Sequence, residues 1–218
     1  MCFSASASFS AGVVLTVIGI ASIKKTHHKS QLLFASIPFV FGIQQFAEGI
    51  LWLTIPKSDY FVLQKIATYI YLFFAHFIWP LCVPTAILLI EKSSTRKTIQ
   101  KILVAVGILV SFYLAYCLAT YPVKAVIEGY HIKYILGYSD LLNYFWIVLY
   151  ALATIAPPFF SHIKRMWMLG VTILISYIIT ELFYENYLLS VWCFFASIIS
   201  FSIYLIMIEI ANALQKSR

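Results

Sequence analysis

The sequence predicts an all-α membrane protein, a bundle of seven transmembrane helices, and three observations carry that prediction. Apolar residues make up 62% of 218 positions and charged residues only 11%, where a water-soluble domain carries about 25% charged residues. Seven apolar segments are each long enough to cross a hydrocarbon core of about 30 Å as a helix. The basic residues gather in alternate connecting loops, a pattern that reads as topology and not as nucleic-acid binding. The chain is therefore expected to be one seven-helix transmembrane domain over residues 1–218. The lipid bilayer is its first partner.

The spans fall at residues 3–23, 31–55, 60–90, 99–121, 140–161, 166–184 and 187–214. The first opens MCFSASASF without a basic leader, so it reads as a retained span rather than a cleaved signal. Within it Ser4, Ser8, Gly12 and Thr16 form a stripe of small residues at spacing four, which lets helix backbones approach closely. The third and seventh are overlong and should tilt, kink or project beyond the membrane. Pro80 and Pro84 supply a kink in the third, and Pro157 and Pro158 loosen the end of the fifth. Between the fourth and fifth lies PVKAVIEGYHIKYILGYS, with apolar and polar residues alternating on either side of Gly129. That is a hairpin pattern, either a lid over the mouth of the bundle or an amphipathic segment on the headgroups.

Loop charge sets the expected orientation. The loops KKTHHK, EKSSTRKTIQK and HIKR and the tail QKSR hold eleven of the fifteen Lys and Arg residues, leaving Lys57, Lys65, Lys124 and Lys133 on the other side. The positive-inside rule then places the C-terminus in the cytoplasm and the N-terminus and hairpin outside. The four cysteines, Cys2, Cys82, Cys117 and Cys193, show no CxxC spacing and no secreted disulfide framework.

Ionisable side chains within hydrocarbon are functional candidates by default. Span two carries IQQFAEGILW, in which Gln44, Glu48 and Trp52 share one helical face with Gln45 one position off it. His76 lies near the middle of span three, and span six ends TELFYEN with Tyr177, Glu181 and Glu185 four apart. In the expected orientation these groups concentrate in the outer half, which points to an outward-opening polar pocket. Each also has a plain structural reading. Glu48 can tie helices together by pairing with His76 or with tyrosines, and His76 can be an interhelical hydrogen-bonder. Glu181 can be solvated, Glu209 can snorkel to the inner surface, and His27, His28 and His162 sit in basic loops where water reaches them.

Two seven-span comparisons fail. Retinal proteins need a lysine in the last span for a Schiff base, and residues 187–214 contain none. Zinc hydrolases of the ceramidase and adiponectin-receptor type use three histidines near the cytoplasmic face, and here only His76 is clearly intramembrane. The opening MCFSASASFSAG, the stretch IPFVFGIQQFAEGILW and the later FFAHFIWPLCVPTAILLIEK resemble a family of uncharacterised bacterial integral membrane proteins beginning MCFSA, a domain of unknown function. The likeness covers most of the first ninety residues. It implies a small multi-pass protein of the bacterial inner membrane and supplies no activity.

Three functions compete on the residues alone. An outward pocket using Gln44, Gln45, Glu48, Trp52, His76 and Glu181 would bind or transport a small polar or cationic ligand, with Glu48 and His76 able to exchange protons. A membrane-embedded metal or haem protein, or an enzyme, would use Cys2, Glu48 and His76 as ligands. A purely structural or partner-binding bundle would need neither. The first is preferred, because one histidine and two carboxylates suffice for proton-coupled binding, whereas a metal enzyme needs three or more placed ligands. Cofactor identity stays open.

Overall fold

The computed structural model describes residues 4–184 and 187–216. Helix α1 (Ala5–Ile23) is followed by α2 (Leu32–Thr54) and then by one long rod made of α3 (Phe61–Phe73), a π-helical segment (Phe74–Ile78) and α4 (Trp79–Ile90). Helix α5 (Ser94–Thr120) leads into the hairpin strands β1 (Val123–Glu128) and β2 (His131–Leu136), and α6 (Tyr144–Ile155), α7 (Met166–Tyr184) and α8 (Leu188–Lys216) complete the chain. With the rod counted once, the described residues form seven helices, six of them long and apolar enough to cross a membrane.

The fifth expected span is the short one. Helix α6 has 12 residues, about 18 Å at 1.5 Å per residue, against the 22 expected. Asn143 caps its start, accepting from the Trp146 N–H. At its other end Pro157 and Pro158, which have no N–H to donate, turn the chain into a 3-10 segment (Pro157–Phe160). Gln100 of α5 meets the carbonyls stranded there, its amide donating to Pro157 (2.8 Å) and Phe160 (3.3 Å).

Helices α1 and α2 make the most extensive contact in the protein, and small residues make it so. A Cβ on Gly19 would lie 2.6 Å from the Phe39 nitrogen, and one on Gly42 would lie 2.8 Å from the Thr16 hydroxyl. The stripe runs through Ser8, Gly12, Thr16 and Gly19. Ser4 is not part of it: its hydroxyl caps α1, accepting from the Ala7 N–H at 3.2 Å.

The kink expected near Pro80 takes a specific form. A proline ring clashes with the carbonyl four residues earlier and offers no N–H to it; for Pro80 that residue is His76. The turn before it widens, and the Trp79 N–H reaches back five residues to the Phe74 carbonyl. The Ala75 carbonyl, left without its ordinary helical partner, accepts the Tyr150 hydroxyl at 2.7 Å, and the Ser111 hydroxyl donates to Phe77 at 2.9 Å. Side chains from α5 and α6 thus supply what the helix gives up, as a membrane interior requires.

The loops before α2, before α5 and before α7 meet at one end of the bundle, over an aliphatic core from α2, α4, α6, α7 and α8 that includes Phe34, Ile87, Ile173 and Ile203. These are three of the four lysine- and arginine-rich segments. The hairpin closes the opposite end. Its strands pair antiparallel with Glu128 opposite His131, and Gly129 turns the chain at φ 63°, a value that favours glycine. Ala125 and Ile132 are buried against Leu51 and Ala67, and Tyr134 stacks on Tyr71 at 4.6 Å. The alternation read from the sequence is therefore a strand pair with one face packed on the helices.

Candidate functional site

Beneath β2 lies a cavity of about 300 Å³. The π-helical turn presents His76 to it, α7 presents Tyr177 and Glu181, α6 contributes Trp146 and Tyr150, and β2 roofs it with Tyr134. Among the described residues that line it there is no Lys or Arg. His76 is held from outside the cavity: its Nδ1 is 2.9 Å from the Tyr138 hydroxyl. Burial pushes the Tyr138 phenol above its ordinary range, so it stays a neutral partner. Whichever group of that pair donates, the second ring nitrogen, Nε2, has no partner among the described residues. Tyr177 lies within hydrogen-bonding reach of Glu181.

The sequence candidates divide into two places. His76 and Glu181 share the cavity. Gln44, Gln45 and Glu48 instead form a polar knot between helices, all essentially inaccessible. The Ser190 hydroxyl of α8 donates to Glu48 at 2.5 Å, and the Gln45 amide lies 3.4 Å from the other carboxylate oxygen. Gln44 accepts from the Trp79 indole at 2.8 Å and donates to the Tyr71 carbonyl at 3.5 Å. Glu48 does not pair with His76, whose ring bonds Tyr138. Trp52 packs against the cluster of Leu51, Ala67, Ala125 and Ile132 under the hairpin and does not line the cavity. Glu185 and Cys2 lie outside the described residues, and so does the side chain of Cys193. Among the described residues no group of three or more His, Cys, Asp or Glu stands close enough to hold a metal ion.

A second, smaller cavity of about 70 Å³ lies deeper, walled by Phe34, Ile37, Val83, Ile173, Ile199 and neighbours, with Gln44 and Thr154 as minor polar elements. Tyr150 and Leu189 line both cavities. Both are fixed: Tyr150 by its bond to Ala75, and Leu189 by its carbonyl, which accepts the Tyr71 hydroxyl at 2.6 Å.

At the basic end the structure builds a node that loop composition hides. Glu91, 2% exposed, ends α4 and accepts the N–H groups of Lys92 and Ser93 at 2.9 Å and of His162 at 2.8 Å. The His162 ring sits 2.8 Å from the same carboxylate. Burial alone would raise the Glu91 carboxyl, but the three backbone donors and His162 outweigh it and hold it below the usual carboxylate range. His162 is thus an exposed loop histidine, as expected, that also partners a buried carboxylate. Glu209 sits 3.6 Å from Arg165, a pairing that accompanies its position near the surface.

The model of a family of unknown function (DUF6629) matches residues 1–217. The chain belongs to that family. Comparison with curated proteins and comparison with solved structures each gave no match.

Proposed function

We propose that this DUF6629 member is a multi-pass membrane protein that binds a small organic cation in the cavity under the hairpin, with the hairpin end facing outward. One observation carries the reading. A carboxylate, Glu181, and an imidazole whose Nε2 has no partner among the described residues, His76, line one chamber of aromatic and aliphatic residues with no Lys or Arg in its described lining. Glu181 supplies the charge, and the rings of Tyr134, Tyr150, Tyr177 and Trp146 in the lining supply aromatic surface that suits an ammonium. His76 supplies one hydrogen-bonding group beside that charge. The excess of Lys and Arg at the end away from the hairpin supports the orientation, since such loops stay in the cytoplasm.

The experiment is thermal unfolding of the detergent-purified protein over a concentration series of tetramethylammonium. Binding to the folded state raises Tm with concentration by mass action. Glu181→Gln should abolish the rise, and His76→Ala should weaken the rise that methylammonium, which has N–H groups to donate, gives in the same assay. A rise that persists unchanged in both variants would remove this chamber as the site. The topology is tested by attaching a membrane-impermeant thiol label to a cysteine placed at Tyr130 in whole cells. Labelling supports the outward hairpin, and protection reverses it.

A further inference from the structure

Resting on that reading, we infer that Tyr150 and Leu189 form the specificity-determining wall of the site, and that it limits the ligand to a cationic head with a short alkyl chain. The large chamber and the small one are separated by these two side chains, and consecutive residues of the π-helical turn face the two spaces: Ala75 the inner, His76 the outer. Their chemistry differs sharply. The outer space has Glu181 and His76 among its lining, while the inner one is apolar apart from Gln44 and Thr154 and holds no charged group. An ammonium head belongs in the first, and only a hydrocarbon tail gains anything from the second. The Tyr150 half of the wall does not swing freely, because its hydroxyl is bonded to the Ala75 carbonyl, and the backbone that carries Leu189 is held by Tyr71. A chain long enough to reach it stops there. Beyond it, about 70 Å³ is room for a few methylene groups, since a water-sized group needs only ~10–15 Å³ of such volume.

The test is an alkyltrimethylammonium series, methyl to hexyl, titrated calorimetrically into the detergent-purified full chain. Each methylene buried in an apolar chamber should tighten binding about fourfold. For the native protein the gain should stop at the chain length that meets the wall. Leu189→Ala removes half of the wall and keeps the carbonyl that Tyr71 uses, so the gain should run on for at least two more methylenes. Tyr150→Ala, which removes the other half, should do the same, while Tyr150→Phe keeps the ring and should leave the limit in place. A native series that climbs without a break to hexyl overturns the wall, as does an unchanged limit in both alanine variants. Those outcomes leave the cation site standing. Failure of tetramethylammonium itself to bind takes down the site and the wall together.

Discussion

Gly107→Ala tests how closely α5 is set against the π-helical turn. The Cβ it adds would lie 2.0 Å from the Pro80 carbonyl oxygen, 3.1 Å from its carbon and 3.3 Å from Pro84 Cγ. No side chain can rotate aside, since the obstacle is backbone. Contacts of that kind do not fall below 3.0 Å, so α5 must retreat from α4 by roughly 1 Å. A gap of that size forfeits a quarter to a half of each dispersion contact across it. The buried face of α5 on either side of Gly107 consists of Leu103, Val110, Ser111 and Leu114. Full burial of such apolar side chains is worth about 1.5–3 kcal/mol each, so three of them losing a quarter amounts to about 1.5 kcal/mol. Backbone strain and the stretched Ser111–Phe77 bond add a similar amount. The expected cost is about 3 kcal/mol, or roughly 6–12 °C in Tm for a chain of this size. Thermal unfolding in detergent, followed by circular dichroism, reads it directly. A Tm within about 2 °C of the native value would refute the close approach and with it the description of how the π-helical turn is braced.

Glu91→Gln should cost about 2 kcal/mol at neutral pH, because charge-assisted bonds to three backbone N–H groups weaken. Since the folded carboxyl is held below its ordinary range, its contribution is present above the unfolded value and is lost as pH falls through the folded one. Acid titration of stability should therefore show a falling step in the native protein that the variant lacks. Gly129→Ala should destabilise by about 1 kcal/mol through its positive φ alone, as nothing lies within 4 Å of the new Cβ; Gly129→Asn should recover most of that in the same melt. Glu48→Leu leaves the Ser190 hydroxyl and Gln45 amide with one acceptor fewer inside the bundle, and a loss of about 1–2 kcal/mol is expected by thermal unfolding.

The helices were readable because a bilayer leaves a chain few options, and length and apolarity alone locate the spans. The hairpin was readable because period-two alternation breaks at a glycine. The site was less so. Gln44, Glu48 and Trp52 share a face of α2, and that geometry is correct, but what meets the face depends on neighbours far away in sequence. Ser190 on α8 claims Glu48, and Trp79 claims Gln44. His76 and Glu181 come from helices about a hundred residues apart, and spacing says nothing about such a meeting. Tyr138 and Tyr150 were hidden among fifteen tyrosines. Pro80 four residues after His76 was the one local mark of a distorted turn. Glu91 was lost in a loop that reads simply as basic, and only the return of the chain at His162 gives it a partner.

The brevity of α6 has a consequence for the lipid around it. Exposed aromatic rings flank the helix at both ends, Tyr144 (87% exposed) and Phe145 (59%) at the start, Phe159 (41%) and Phe160 (42%) after the 3-10 turn. The remaining helical residues and the tighter turn separate the two pairs by at most about 24 Å, less than an ordinary hydrocarbon core. Such rings settle at the headgroup level, so for α6 to cross a bilayer the leaflets would have to dimple toward each other along this one flank. Each ångström of misfit costs a fraction of a kcal/mol, so reconstitution into short-chain lipids is expected to raise Tm above its value in long-chain ones.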